Sequence, residues 1–215
     1  MLLPLLAAGC AGQVGEMPTW VGFDDYQDDS AVLVLEVTPP SSVLLAVGSI
    51  EQGGWRAKGP KSQMWLAPRD GYIVARVSPT QDEQAYAVIQ VRPAKSPGGQ
   101  DGATPTYESG FWSAVPTDPA SGQGGSSRAY GPTGEARIPV LKATAARVNF
   151  AGTIRVDATL ESGSDAPPQK VGITPVTSPN DMEAVSRFMT LQYPKVIARI
   201  VPRPLEMMRR SEASD

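Results

Sequence analysis

The sequence predicts a mainly β fold, an antiparallel β-sandwich or partly open barrel with one C-terminal helix at about residues 178–192. Three observations point there. Short branched apolar runs recur at intervals of about ten residues between turn residues, the rhythm of a sandwich or barrel rather than of βαβ units. Glycine and proline number 21 each in 215 residues, well above their combined average of about 12%, which favours short elements and many turns. Only one stretch, beginning at Ser178, carries both a helix start signal and a helical apolar face.

The first strand is signalled by Val32, Leu33, Val34, Leu35 and Val37, a continuous branched run stopped by Pro39 and Pro40 and fitting a strand covered on both faces. Residues 42–50 form a second such run, ended by Glu51-Gln52-Gly53-Gly54, and residues 64–66 a short third. Arg69-Asp70-Gly71 is a turn with glycine where a positive φ is needed, and it releases a strand over 72–77. A further turn leads into a strand over 86–91.

Residues 93–136 break the rhythm and predict a long flexible loop. Within it, Tyr107, Phe111 and Trp112 suggest a strand or cap laid on the core, with a binding surface as the alternative. The glycine-rich run at 121–127 is no phosphate cradle, because no strand feeds it and no Lys-Ser/Thr follows. Beyond the loop, Ala146, Val148 and Phe150 alternate with Arg147 and Asn149, and Ala151-Gly152 reads as a hairpin turn. Ile154, Val156, Ala158 and Leu160 then alternate with Thr153, Arg155, Asp157 and Thr159, as in an antiparallel strand with one wet face. Residues 171–174 are a candidate short strand.

In the helix, Ser178 is the N-cap, Pro179 takes the first helical position, and Asp181 favours the positive helix end. Met182, Val185, Phe188 and Met189 make its apolar face, and Tyr193-Pro194 ends it. A last strand follows over 196–201, and residues 204–215 read as a polar tail. Met182, Met189, Met207 and Met208 fit either gap-filling core or a pliable groove.

The chain's address is written in its first ten residues. Leu2, Leu3, Leu5 and Leu6 make a short apolar segment, and Ala7, Ala8 and Gly9 lead into Cys10, the single cysteine. Leu6-Ala7-Ala8-Gly9-Cys10 resembles the lipobox of a bacterial lipoprotein signal. The resemblance covers those residues alone. It implies cleavage before Cys10 and acylation of that residue, and an anchor of several acyl chains holds firmly, each buried CH₂ contributing about 0.8 kcal/mol. Ala11 stands where a retained inner-membrane lipoprotein of this class commonly has aspartate, which implies outer-membrane sorting. The lack of a basic residue ahead of the apolar run implies a start upstream of Met1. The alternative is a buried apolar strand with a free core cysteine, which Pro4 disfavours.

The expected organisation is therefore a signal peptide at 1–9, a lipid anchor and linker at 10–30, a single domain at 31–203 and the tail. In the linker, Trp20, Val21 and Phe23 are expected to dock on the first sheet rather than leave a sticky patch. Asp24, Asp25, Asp28 and Asp29 read as a solvated acidic turn, lacking the interleaved glycine and closing glutamate of a Ca²⁺ loop. No metal and no cofactor are expected.

Composition narrows function further. A net charge of −3 and a sequence pI near 5.1 leave no electrostatic footprint for nucleic acid. The absence of histidine removes Ser-His-Asp and Cys-His triads, imidazole zinc sites and the ordinary near-neutral base. Glu36, Asp70, Asp157 and Glu161 remain as candidates for a glycan-cleaving carboxylate pair, though surface charge explains them equally. The nearest thing to an interaction loop is 52–61, where Trp55 lies among Arg56, Lys58 and Lys61. Trp55, Arg56, Lys58, Phe111 and Trp112 are thus the candidate interaction surface, against a Trp55 folded back over the sandwich end. The sequence favours a noncatalytic protein, tethered to the membrane by its N-terminal lipid and binding or scaffolding an envelope protein or peptidoglycan. It would work from the periplasmic face of the outer membrane, with surface exposure left open. The competing expectation is a carboxylate-dependent glycan-processing enzyme.

Overall fold

Successive β-branched residues resist helix and fit a pleated strand, and those from Ala31 form β1 (Ala31–Thr38). The computed structural model describes residues 30–78, 80, 84–93, 111–114, 129–158, 170–176, 181–196 and 198–211. After β1 come β2 (Ser41–Glu51), β3 (Gly54–Ala57), a 3₁₀ turn (Pro60–Ser62), β4 (Gln63–Leu66), β5 (Tyr72–Val77) and β6 (Gln84–Pro93). The short β7 (Phe111–Ala114) and β8 (Tyr130–Pro132) precede β9 (Arg137–Leu141), β10 (Val148–Ala158) and β11 (Lys170–Val176). The one α-helix among the described residues, α1 (Asp181–Gln192), leads to β12 (Ile200–Pro202) and β13 (Glu206–Arg210).

The chain is mainly β, and five strands close on themselves. β2 pairs β3, β3 pairs β13, β13 pairs β9, β9 pairs β6, and β6 returns to β2. Closure leaves these strands no free edge within the ring. From β6 the sheet continues through β8, β7, β11, β10 and β1 to β5, while β4 lies on β2 and β12 on β10. The antiparallel expectation holds for most pairs, but β1 with β10, β10 with β12, and β3 with β13 run parallel. Parallel neighbours need long crossovers, and here four of the five ring strands, β2, β3, β6 and β9, lie between β1 and β10 in the chain.

β1 is covered on both faces, as its unbroken branched run requires. Leu33, Leu35 and Val37 enter the main core with Val43, Leu45, Val88 and Ile138. Val32 and Val34 face the other way, into a second cluster with Val185, Phe188 and Met189 of α1. The Asp70-Gly71 turn forms as expected, with φ of 50° and 86° and reciprocal backbone hydrogen bonds between Arg69 and Tyr72 of 2.8 and 2.9 Å.

Three readings are corrected. Ala151-Gly152 is no hairpin: β10 runs straight through it, and the register against β1 steps from Val34↔Phe150 to Glu36↔Thr153. One extra residue therefore bulges, with Gly152 at a φ of 89°. A one-residue slip reverses the faces of a strand, so Val148 and Phe150 pack under α1 while Ile154 and Val156 enter the main core. The expected last strand over 196–201 is shortened to β12, and the tail expected at 204–215 carries β13, where Met208 packs on the main core. The loop expected at 93–136 contains β7 and β8, joined at Trp112↔Pro132. Ser178 and Pro179, the expected start of α1, lie outside the described residues.

Candidate functional site

The candidate surface around 52–61 is not formed as a loop. Gln52 and Gly53, at φ of 50° and 77°, turn β2 into β3 as a tight hairpin. Trp55 points inward and is fully buried, its indole Nε1 donating to the Ala85 carbonyl at 3.2 Å. The room for that ring comes from Gly48, where a Cβ would meet the indole and the Arg56 carbonyl. Trp112 is also fully buried, its Nε1 donating to the Arg137 carbonyl at 3.2 Å. Both indoles bury large apolar area and satisfy their single donor, so the expected aromatic surface is not built from them.

The other candidates do not converge. Arg56 is half-buried and pairs with Glu51 at 3.4 Å, and Lys58 is exposed at the strand end. Cys10 and the side chain of Phe111 lie outside the described residues, as do the linker aromatics and Asp24 to Asp29. Glu36 accepts from Thr153 Oγ1 at 2.6 Å, Asp157 pairs with Arg155 at 2.8 Å, and Asp70 occupies the exposed turn before β5. Glu161 lies outside the described residues. Among the described residues no group of three or more Cys, Asp or Glu could hold a metal ion, and no helix is long and apolar enough to cross a membrane.

A groove lies elsewhere, and sequence reasoning touched it only through two methionines. Val185, Phe188 and Met189 dock α1 onto β1 and β10. Phe188 stacks on Tyr72 at 4.5 Å between ring centroids and meets Tyr193 edge-on at 5.9 Å. The helix end is closed by Tyr193 N–H donating to Met189 O at 2.8 Å, and Val196 N–H donates to Tyr193 O at 2.9 Å. The chain then doubles back to β12, leaving a groove of about 590 Å³ between the helix flank and the returning segment. Its apolar wall is Val148, Met182, Met189, Val196, Ala198 and Ile200. Ser186 and Thr190 add hydroxyls, with Thr190 Oγ1 donating back to Ser186 O at 2.9 Å. Met207 and Met208 are not part of it; they lie on β13.

The nearby cations Lys195, Arg199 and Arg147 alternate in sequence with lining residues and do not themselves line the groove. All three are exposed. Val148 pairs in parallel with Ile200, and Val148 N–H donates to Arg199 O at 3.0 Å. Asp181 and Glu183 flank Met182 in the first turn of α1. On the β5 side of the helix, the Tyr72 hydroxyl is held above the ordinary phenol range by burial and then by the charges of Glu36 and Asp181.

This arrangement suits binding: apolar carbon at the wall and hydroxyls on the helix flank. Glu36, Asp70 and Asp157 do not line it. No family model, curated protein or solved structure matches this chain.

Proposed function

We propose that the protein is a lipid-anchored, noncatalytic binding protein of the cell envelope. In this reading Cys10 carries the acyl chains on the periplasmic face of the outer membrane, and the groove beside α1 receives another envelope component. The observation that carries it is where the tether enters the fold. Ser30 is fixed by Ala146 N–H donating to its carbonyl at 3.1 Å, two residues before Val148 of the groove wall. Cys10 precedes Ser30 by 20 positions, so a fully extended tether spans at most about 70 Å. Anchor and groove would then serve the same end of the molecule.

In architecture we read the domain as a sandwich one of whose sheets curls into the closed ring. Leu33, Leu35 and Ile73 share a core with Val43, Leu45 and Val88, which supports two facing layers. The competing function, carboxylate-dependent glycan processing, has less support, because Glu36, Asp70 and Asp157 do not line the groove.

The test combines mass spectrometry of the mature N-terminus with an envelope crosslinking pull-down on the native chain and on Cys10→Ser. The reading expects an acyl mass on Cys10 and partners that disappear in the variant. A native N-terminus that retains residues ahead of Cys10 and carries no acyl mass overturns the anchor.

A further inference from the structure

We infer that β13 is an exchangeable arm: the slot it fills between β3 and β9 also takes β13 of a second copy of this chain, and two chains that trade arms form a dimer. The inference goes beyond the groove beside α1 and depends neither on it nor on acylation of Cys10.

β13 is held by its backbone more than by its side chains. It pairs with β9 from Glu206 to Arg209 and with β3 at Arg209 and Arg210. Of the arm, Leu205 and Met208 pack on the main core, and both are partly buried. Glu206, Arg209 and Arg210 are exposed. Arg209 stands directly opposite Arg137, and like charges across a strand pair repel. The ion pair of Arg209 with Glu135, at 4.0 Å between well-exposed groups, offsets little of that repulsion.

Hinge and slot favour a second copy over an unrelated strand. β12 passes into β13 through Arg203, Pro204 and Leu205 with no turn, and Pro202 and Pro204 hold that stretch extended. Arg203 N–H donates to Phe150 O at 2.8 Å and fixes the near end, so the arm swings from the exposed Pro204. The slot is shaped to this sequence. Gly54 has no Cβ where Ser211 Oγ and the Arg209 carbonyl approach, and Ser211 N–H donates to Trp55 O at 2.8 Å. An emptied slot leaves the facing edges of β3 and β9 unpaired, so an arm that leaves one ring is kept where it fills another. Reciprocal exchange fills both slots with the pairs that one chain already makes, a low-cost route to a symmetric dimer.

Two single-cysteine variants of the full chain carrying Cys10→Ser, Arg137→Cys and Arg209→Cys, test this. Both positions are exposed, and neither variant can close a disulfide within itself. The two positions face each other across the β9–β13 pair at a Cα spacing of about 4.5–5.5 Å, which a disulfide spans. The variants are unfolded together in urea and refolded together at about 1 mM, where a second arm competes with the millimolar effective concentration of a tethered one. They are then diluted, oxidised and separated on a non-reducing gel, beside variants refolded separately and mixed after dilution. The disulfide-linked heterodimer should be at least tenfold more abundant in the co-refolded sample. The Cys10→Ser chain without either substitution, refolded in the same way, should elute in part as a dimer from a sizing column and return to monomer after refolding at about 1 µM. Equal heterodimer in the two samples, or a wholly monomeric Cys10→Ser chain, overturns the inference. A Cys10→Ser dimer without the crosslinked heterodimer places the contact on another surface and overturns it too.

Discussion

The side chain of Asn149 bonds the backbone of Val32 across the parallel β1–β10 pair, Nδ2 donating to the Val32 carbonyl at 3.2 Å. The same amide donates to Thr144 O at 3.0 Å and Arg147 O at 3.1 Å, while its Oδ1 accepts from Thr144 N–H at 2.8 Å. Asn149 is fully buried, so its partners have no ready access to water. Leucine of similar size in its place should cost about 2–4 kcal/mol, because carbonyls and an amide would be left desolvated. Urea denaturation of Asn149→Leu measures this, and a loss below about 0.5 kcal/mol contradicts the clamp.

Gly48 is a spacer for an indole. Alanine there would push its Cβ into the Trp55 ring and the Arg56 carbonyl, and the carbonyl belongs to a paired strand that cannot swing aside. Gly48→Ala should therefore destabilise by about 1–3 kcal/mol or more, the range of overpacked cores. Thermal melts check the value, and near-ultraviolet circular dichroism checks whether Trp55 shifts.

Tyr86 and Tyr72 both carry pKa values raised from the ordinary phenol value, Tyr86 by burial, Tyr72 by burial and then by Glu36 and Asp181. A raised folded value means that the unfolded chain gives up these protons first. Their contribution to stability is fully present below about pH 10 and is lost as pH rises through the folded pKa values. Urea midpoints followed from neutral pH to about 11 should fall only above that point. Tyr86→Phe should shrink the alkaline loss, while at neutral pH it costs about 1 kcal/mol for the hydroxyl's bond to Ser78 O.

Truncation after Arg203 distinguishes a structural β13 from a tail. It removes the pairing of Glu206 to Arg209 with β9, the pairing of Arg209 and Arg210 with β3, and the bond from Ser211 N–H to Trp55 O at 2.8 Å. The truncated chain should lose its cooperative melt and become protease-sensitive within the ring. An unchanged melting curve contradicts the ring closure.

Much of this fold is written locally. The run from Ala31 needs two covered faces and Asp70-Gly71 needs its turn; both can be read from neighbours in sequence. Other features depend on partners far along the chain. Ala-Gly at 151–152 is the same dipeptide whether it turns or bulges, and only β1 alongside decides between them. Glu206-Met207-Met208-Arg209-Arg210 has no apolar alternation, and it is a strand because β3 and β9 present it with two open edges. Asn149 alternates like a solvent residue, yet the turn at 144–147 folds over it. The groove was legible only as Met182 and Met189 on one helix flank, since its other wall is the segment that returns to β12.

The ring also fixes an order of events. Gly54 finds its parallel partner in Arg209, so β3 waits for a strand that follows all the others in the chain. Contacts of such separation close slowly, because loop entropy is lost before the pairing compensates for it. Without β13 the facing edges of β3 and β9 are unpaired, and exposed strand edges invite pairing with other chains. The ring therefore cannot close before β13 is present.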